Sequence, residues 1–269
     1  MSQKTERAEM TKKPVLYQIP GTESVVVNRD LQYRTSDASS LTMDLYRPPD
    51  ALAGARLPAV IFVTGYSDLG LQAFFGCKLK DWESYIGWAK LTAASGLTAV
   101  TYSATNPAAD LPALVQHLRQ NAVALGIDEN RIGLWACSGN GPMALSFLMQ
   151  DAALRCAALS YAFTLDLEGS THVAQIANTY GFANPGVGKS VADLPQQTPL
   201  FLARAGKDEF PHLNESMDRL VAQALAHNLP LTLVNHPQAP HAFDLLHDSE
   251  TTREIIRQTL AFLRFHLLA

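Results

Sequence analysis

The sequence is poor in cysteine and in charge of either sign. Its 269 residues include three cysteines, Cys77, Cys137 and Cys156, and their spacing matches no zinc motif. So few cysteines exclude a disulfide framework and favour reduced, buried thiols, as in cytosolic proteins. The net charge of −4, with 17% charged residues, gives no electrostatic reason to expect nucleic acid or an anionic membrane as a partner.

Long apolar runs are also lacking. No stretch reaches the roughly 18 uninterrupted apolar residues of a membrane-spanning helix. The polar start of the chain, MSQKTERAEMTKKP, has no apolar core of the kind that a signal peptide needs. We therefore expect a cytoplasmic protein with a flexible N-terminal arm over residues 1–14 and a single domain over residues 15–269.

Short apolar runs rich in β-branched residues alternate with stretches of helical periodicity. There is no internal repeat and no linker, and 47% of the residues are hydrophobic, enough for one large core. The alternation indicates an α/β fold whose mainly parallel central sheet is flanked by helices on both faces. Strands are predicted at 25–33, 42–46, 58–64, 97–102, 131–137, 156–160, 199–205 and 231–236, and helices at 82–94, 110–125, 142–149, 212–227 and 249–268. Residues 161–198 read as an irregular loop insertion.

A serine stands at the corner between the predicted strand 131–137 and the helix that follows it. The sequence from 133 to 141 is GLWACSGNG, with Ser138 among small residues. Small neighbours suit a strained turn where strand and helix come together, and the amino end of the helix would favour an oxyanion. Ser138 is therefore a candidate nucleophile, and the alternative is a serine that caps the helix.

A serine nucleophile needs a histidine as general base and a carboxylate to orient that histidine. Asp208 follows the strand 199–205, and His241 lies in the loop before the last helix. The order serine, acid, histidine is the one found in one large hydrolase fold. Alternatives are Cys137 as nucleophile, Asp166 or Glu168 as the acid, and His236 or His247 as the base.

Several short motifs resemble those of the α/β-hydrolase superfamily, in particular its dienelactone hydrolase and feruloyl-esterase-like carboxylesterase type. ACSGNG resembles the nucleophile elbow G-x-S-x-G, with Asn140 in place of the second Gly. AGKD, ending at Asp208, resembles the acid loop, and HAF, starting at His241, resembles H-G-F. LTMDLYRP at 41–48 resembles an early scaffold strand, and Thr64-Gly65-Tyr66 stands where the family usually has H-G-G.

This resemblance implies an α/β-hydrolase fold with a minimal cap and a carboxylesterase that cleaves small esters through an acyl-enzyme. Ser138, His241 and Asp208 would form the triad, and the N–H groups of Tyr66 and Gly139 the oxyanion hole. No metal and no organic cofactor is implied. The alternatives are a short-peptide or amide hydrolase, and a catalytically weak member that binds a ligand.

Aromatic residues cluster in the two segments that we expect to border the site, since loops at strand carboxyl ends build it. They indicate an apolar pocket for a small-molecule ester, although each ring could instead serve only to pack its loop. The sequence leaves open a homodimer through a sheet edge or the last helix. The candidate pocket residues are Phe74, Trp82, Tyr161, Tyr180 and Phe182, with Tyr66, Phe75 and His172 in the same segments.

Overall fold

The computed structural model describes residues 9–36, 39–52 and 54–269. Within them, eight strands form one sheet in the order β1-β2-β4-β3-β5-β6-β7-β8. β1 and β2 pair with each other and β2 with β4 in antiparallel fashion, and all the other pairs are parallel. The strands are β1 Val26–Ser36, β2 Ser39–Arg47, β3 Leu57–Phe62, β4 Thr98–Tyr102, β5 Ile127–Cys137, β6 Ala157–Ser160, β7 Leu200–Ala205 and β8 Leu231–His236.

Helices fill the connections between the strands. Short 3-10 turns lie at Thr22–Ser24, Leu79–Asp81, Ser138–Asn140 and Val191–Asp193. In the described chain, none of the helices is long and apolar enough to cross a membrane. The α-helices are α1 Asp68–Phe75, α2 Glu83–Ala94, α3 Pro107–Gln120, α4 Ala122–Leu125, α5 Gly141–Gln150, α6 His172–Tyr180, α7 Leu213–Ala226, α8 Phe243–Leu246 and α9 Glu250–Leu268.

The sheet is covered on both faces because its central strands are apolar on both sides. In β3, Ile61 packs into one buried cluster, and its neighbours Val60 and Phe62 pack into the other. α3, α5 and α7 supply the first cluster, and α2 and α9 supply the second. Such strands read as nearly continuous apolar runs, which is why the sequence predicted the parallel sheet correctly.

Three helical predictions were incomplete. α1 was not predicted. It begins at Asp68 and ends at Phe75, before Gly76, whose φ of 84° favours glycine. The predicted helix 110–125 starts earlier, with Pro107 at its first turn, and breaks at Asn121 into α3 and α4. The segment 161–198 is not wholly irregular, because it contains α6 and a 3-10 turn.

α6 is stabilised by burial of one face and by hydrogen bonds and a glycine at its ends. Val173 and Ala177, four residues apart, are buried on one side of the helix. Asp166 accepts hydrogen bonds from the first-turn N–H groups of Val173 and Ala174. Gly181, with φ 76°, ends the helix.

The chain on both sides of the predicted boundary between arm and domain lies against the rest of the protein. Val15 is 6% exposed, and the N–H of Leu16 donates to the carbonyl of Asp244 at 2.8 Å. Met10 packs against the apolar cluster on the α2 side of the sheet. Residues 1–8 of the arm lie outside the described residues.

Candidate active site

Ser138 lies at a strained corner between β5 and α5. Its φ is 54°, a left-handed value that is uncommon for a residue other than glycine. The neighbours are small because nothing larger fits: a Cβ on Gly139 would overlap the Tyr66 hydroxyl, and one on Gly141 would overlap the Phe163 carbonyl. The turn therefore holds the Ser138 hydroxyl away from the strand and leaves it half-buried.

The three candidate catalytic side chains form a chain of hydrogen bonds. Ser138 Oγ is 2.9 Å from His241 Nε2, and His241 Nδ1 is 2.7 Å from Asp208 Oδ2. The other oxygen of Asp208 accepts from the Phe210 N–H at 3.0 Å. The Asp208 side chain is fully buried, whereas 19% of the His241 side chain is exposed. This is the geometry in which a carboxylate orients an imidazole that can take a proton from a hydroxyl.

The loops after β7 and β8 bring the acid and the base together. At the first loop, a Cβ on Gly206 would lie 2.6 Å from the Pro237 carbonyl oxygen, so the two loops approach as closely as they do only with glycine there. At the second, Ala242 adopts φ 53°, in the position where the resembled H-G-F motif has glycine. The alanine holds this conformation at the start of α8.

The alternative candidates from the sequence have other partners. Cys137 is buried against the Tyr85 hydroxyl at 3.8 Å, and burial raises the pKa of its thiol to about 12. Asp166 binds the first turn of α6, and Glu168 accepts from Gln223. His236 lies 3.3 Å from the hydroxyls of Ser249 and Thr252, and the ring of His247 packs on the ring of His236.

The loop after β3 lies directly against the elbow. A Cβ on Gly65 would be 2.8 Å from the Gly139 carbonyl oxygen, so the loop approaches the elbow through backbone alone. The Tyr66 N–H donates a long hydrogen bond, 3.3 Å, to Thr64 Oγ1 within the same loop. The loop is anchored on its other side by a bond of 2.7 Å from the Ala183 N–H to the Gly65 carbonyl.

Asn140 connects the elbow to this loop. Its Oδ1 accepts from the Gly65 N–H at 2.7 Å, and its Nδ2 donates at 2.9 Å to both the Tyr85 hydroxyl and the Cys137 carbonyl. In the sequence, Asn140 stands out only as a departure from G-x-S-x-G. A large amide at a position that usually takes glycine was the available signal that it had partners of its own.

Ser138 and His241 open into a largely apolar cavity of about 670 Å³. All five predicted pocket residues line it: Phe74, Trp82, Tyr161, Tyr180 and Phe182. His172 was expected in the same border, but the ring of His172 stacks on His212 instead. The helical geometry of α6 explains this, since His172 begins the helix and Tyr180 ends it.

Other cavity residues were missed in the sequence. Asp244 is 2% exposed and accepts from Trp88 Nε1 at 2.6 Å and from the Tyr161 hydroxyl at 2.7 Å. Burial raises the pKa of this carboxyl, and the two donors counteract the effect. Only its place three residues after His241 could have pointed to it. Met10, Tyr85, Trp88, Trp135 and Phe210 are among the other missed residues.

This chain resembles known proteins in structure but matches none of the family models or curated proteins in sequence. A serine-to-alanine mutant of an α/β-hydrolase enzyme from the metagenome of Lake Arreo, Spain, is 17% identical, with a TM-score of 0.69 over 99% of this chain and 88% of that one.

Two esterases also resemble this chain in structure. A thermostable esterase from Pseudomonas putida ECU1011 is 16% identical, with a TM-score of 0.69 over 99% of this chain and 91% of the other. Esterase 2 of Thermogutta terrifontis, phosphoramylated by tabun, is 17% identical, with a TM-score of 0.65 over 94% and 96% of the two chains. The chain therefore has the α/β-hydrolase fold that its motifs predicted.

Proposed function

We propose that this chain is a serine hydrolase that cleaves small carboxylic esters through an acyl-enzyme intermediate. The observation that carries the proposal is the hydrogen-bonded chain from Ser138 through His241 to Asp208 at the mouth of an apolar cavity. The likeness of the fold to solved esterases supports the same reaction class. The resemblance of its motifs to dienelactone hydrolases and feruloyl-esterase-like enzymes favours the carboxylesterase type.

In the first half-reaction, Ser138 Oγ attacks the ester carbonyl carbon while His241 Nε2 takes its proton. The tetrahedral intermediate collapses when His241 returns that proton to the departing alkoxide, which leaves as the alcohol. Water then attacks the acyl-enzyme with His241 as base, and the acid is released. Asp208 holds the imidazole in position and stabilises its charged form.

The oxyanion would be held by the N–H groups of Gly139 and Tyr66. Gly139 follows the nucleophile directly, and Tyr66 lies in the loop that Asn140 ties to the elbow. The Tyr66 N–H now makes only a long bond to a neutral hydroxyl, Thr64 Oγ1. A full negative charge is the stronger acceptor, so an oxyanion would displace that bond.

The cavity favours an apolar acyl or aromatic group over a charged one. Its lining is mostly apolar and rich in aromatic rings, and the buried carboxylate in its wall, Asp244, is already engaged by Trp88 and Tyr161. A free amine or guanidinium of a peptide would find no unpaired anion among these lining side chains. The cavity therefore favours esters over short peptides as substrates.

The test compares the wild type with Ser138→Ala on p-nitrophenyl esters of increasing acyl length. We expect hydrolysis in the wild type and a loss of about 10,000-fold or more in the variant. A fluorophosphonate probe should add its mass at Ser138. Ser67→Ala is the matched control, because Ser67 lines the same cavity outside the triad, and its side chain makes no capping hydrogen bond to α1.

Activity in Ser138→Ala equal to that of the wild type, or labelling of another residue by the probe, would rule out the proposed nucleophile. Hydrolysis of aminoacyl amides faster than the matching esters would instead favour the peptidase alternative.

A further inference from the structure

Three side chains outside the catalytic site come together where α6 meets the start of α7. His172 begins α6, His212 directly precedes α7, and Glu215 lies in the first turn of α7. One donor atom of each lies within 4.8 Å of the other two. We propose that His172, His212 and Glu215 bind a divalent transition-metal ion of the zinc class, which ties α6 to α7.

The donor set and its spacing suit such an ion. Glu215 Oε2 lies 2.7 Å from His212 Nδ1 and 3.6 Å from His172 Nδ1. Imidazole nitrogen and carboxylate oxygen are ordinary zinc ligands, with bonds of about 2.0–2.2 Å. In a tetrahedral complex with such bonds, neighbouring donor atoms lie about 3.4 Å apart. The two observed separations fall on either side of that value, and a fourth position stays open for water.

The environment of His172 Nδ1 is the observation that points to a ligand. This nitrogen is buried, although the rest of the side chain is partly exposed, and it has no hydrogen-bond partner in the described part of the chain. Buried polar atoms are nearly always satisfied, so an unpaired one calls for an explanation. An ion between His172 and Glu215 would give the nitrogen the partner that it lacks.

Glu215 is already oriented for this role. Its other oxygen, Oε1, accepts from Arg219 Nη2 at 2.7 Å, and Arg219 Nη1 also donates to the Leu167 carbonyl at 3.2 Å. Ligating carboxylates are commonly fixed in this way by a partner outside the ligand set. The arginine leaves Oε2 directed toward the two imidazoles.

Binding requires a small rearrangement of the two rings. The imidazoles of His172 and His212 are stacked, with centroids 3.7 Å apart and planes at 25°. A metal lies in the plane of an imidazole that binds it, so both rings must turn about their Cβ–Cγ bonds to converge on one ion. Their side chains are 37% and 38% exposed, which leaves room to turn. The metal would replace the hydrogen bond between His212 Nδ1 and Glu215, and each neutral ring would then carry its proton on Nε2.

The site would join two elements that both reach the cavity. Tyr180, at the end of α6, packs on Phe210 with ring centroids 5.6 Å apart. Phe210 lies two residues before His212, and its ring centroid is 4.5 Å from that of His241. An ion at the other end of α6 would hold this helix against the acid loop.

The experiment uses the full chain after treatment with a chelator. Isothermal titration with zinc chloride should give one ion per chain for the wild type. His172→Ala and Glu215→Gln should each weaken binding by more than the roughly 10- to 100-fold that loss of an orienting partner costs. His227→Ala is the matched control, because His227 is an exposed histidine at the opposite end of α7, and it should bind like the wild type.

Cobalt(II) gives a second readout that does not depend on stability. The wild type should show the visible absorption bands of tetrahedral Co²⁺, and both ligand variants should lose them. Thermal unfolding in EDTA checks that the variants fold. Equal zinc affinity in the wild type and both variants would place any bound metal elsewhere and overturn the proposal, as would absence of binding at millimolar zinc.

Discussion

Asp208 and Asp244 are both buried carboxylates near His241, one in the loop after β7 and the other at the start of α8. Asp208 accepts from the His241 imidazole and from the backbone N–H of Phe210. Asp244 accepts from the Trp88 indole and from the Tyr161 hydroxyl. Each has two close partners, so burial and hydrogen-bond number do not separate their roles.

The chemical types of their hydrogen-bond partners distinguish the roles of Asp208 and Asp244. Both partners of Asp208 are N–H groups, and the backbone one can only donate. One partner of Asp244 is a hydroxyl, which can donate or accept. A carboxylate is therefore required at 208, whereas an amide can satisfy the same neighbours at 244. The difference between the two positions can be measured by replacing each with asparagine.

The largest effect is expected for Asp208→Asn. An asparagine that accepts from Phe210 with its oxygen must direct its NH₂ group at His241, which favours the wrong imidazole tautomer. We expect kcat/KM for p-nitrophenyl acetate to fall by about 1,000- to 10,000-fold with the fold intact. Circular dichroism and thermal unfolding check the fold.

Asp166→Asn is the control for this variant, since Asp166 is the alternative acid from the sequence and binds the start of α6. It should keep activity close to the wild type. A loss in Asp166→Asn as large as that in Asp208→Asn would break the assignment.

Asn140→Asp applies the same reasoning in reverse. A carboxylate there would set an oxygen against the Cys137 carbonyl, an acceptor against an acceptor, while the Gly65 N–H could still donate to it. We expect about a 10- to 100-fold loss of kcat, below the roughly 100- to 1,000-fold that removal of an oxyanion donor costs. Urea unfolding should show a loss of about 1–3 kcal/mol. A variant as active and as stable as the wild type would contradict the role given to Asn140.

Asp244→Asn should have a small effect. Its oxygen can accept from the Trp88 indole, and its NH₂ group can donate to the Tyr161 hydroxyl once that hydroxyl reverses its role. We expect kcat/KM within about threefold of the wild type and a change in unfolding free energy below about 1 kcal/mol. Steady-state kinetics and urea unfolding provide both numbers, and a loss near that of Asp208→Asn would remove the distinction between the two carboxylates.

Asp68 extends the comparison to a carboxylate whose close partners are backbone N–H groups, those of Ala104 and Leu79. Burial raises its pKa from 3.8 to about 6. The folded state then holds a proton that the unfolded state has lost, so stability falls as pH rises from 4 through 6. The fall should be about 3 kcal/mol and level off above pH 7.

Urea unfolding between pH 4 and pH 8 measures this change. Asp68→Asn cannot titrate at this position, so the wild type should lose about 3 kcal/mol of stability relative to the variant as pH rises from 4 to 7. Two parallel curves would show that Asp68 does not carry the shift.

The sheet and the triad candidates were predictable because each has a local signature. The apolar runs of β3 and β5 are buried on both faces, and such runs favour parallel strands. Ser138, Asp208 and His241 each follow a strand, and a parallel sheet places the carboxyl ends of its strands at one edge. The structure places the three side chains within hydrogen-bond distance of one another, and their catalytic roles stay a prediction.

The supporting contacts were not predictable, because they join residues far apart in the chain. Trp88 meets Asp244 across 156 residues, and Asn140 meets Gly65 across 75. α6 was not predicted, because its capping carboxylate, Asp166, lies outside the helix that it stabilises. His172 does not line the cavity as expected, because the prediction of a loop does not show which way a helical residue points.

The contact of Met10 with the cavity bears on how the protein should be expressed. A shortened gene that begins at the predicted domain boundary, residue 15, would encode every catalytic candidate and yet lack part of the wall around the substrate. A purification tag fused before residue 1 would be attached to the segment that contains Met10. A tag fused after Ala269 would instead follow α9. Substrate profiles should therefore be compared only between proteins that share the same N-terminal sequence.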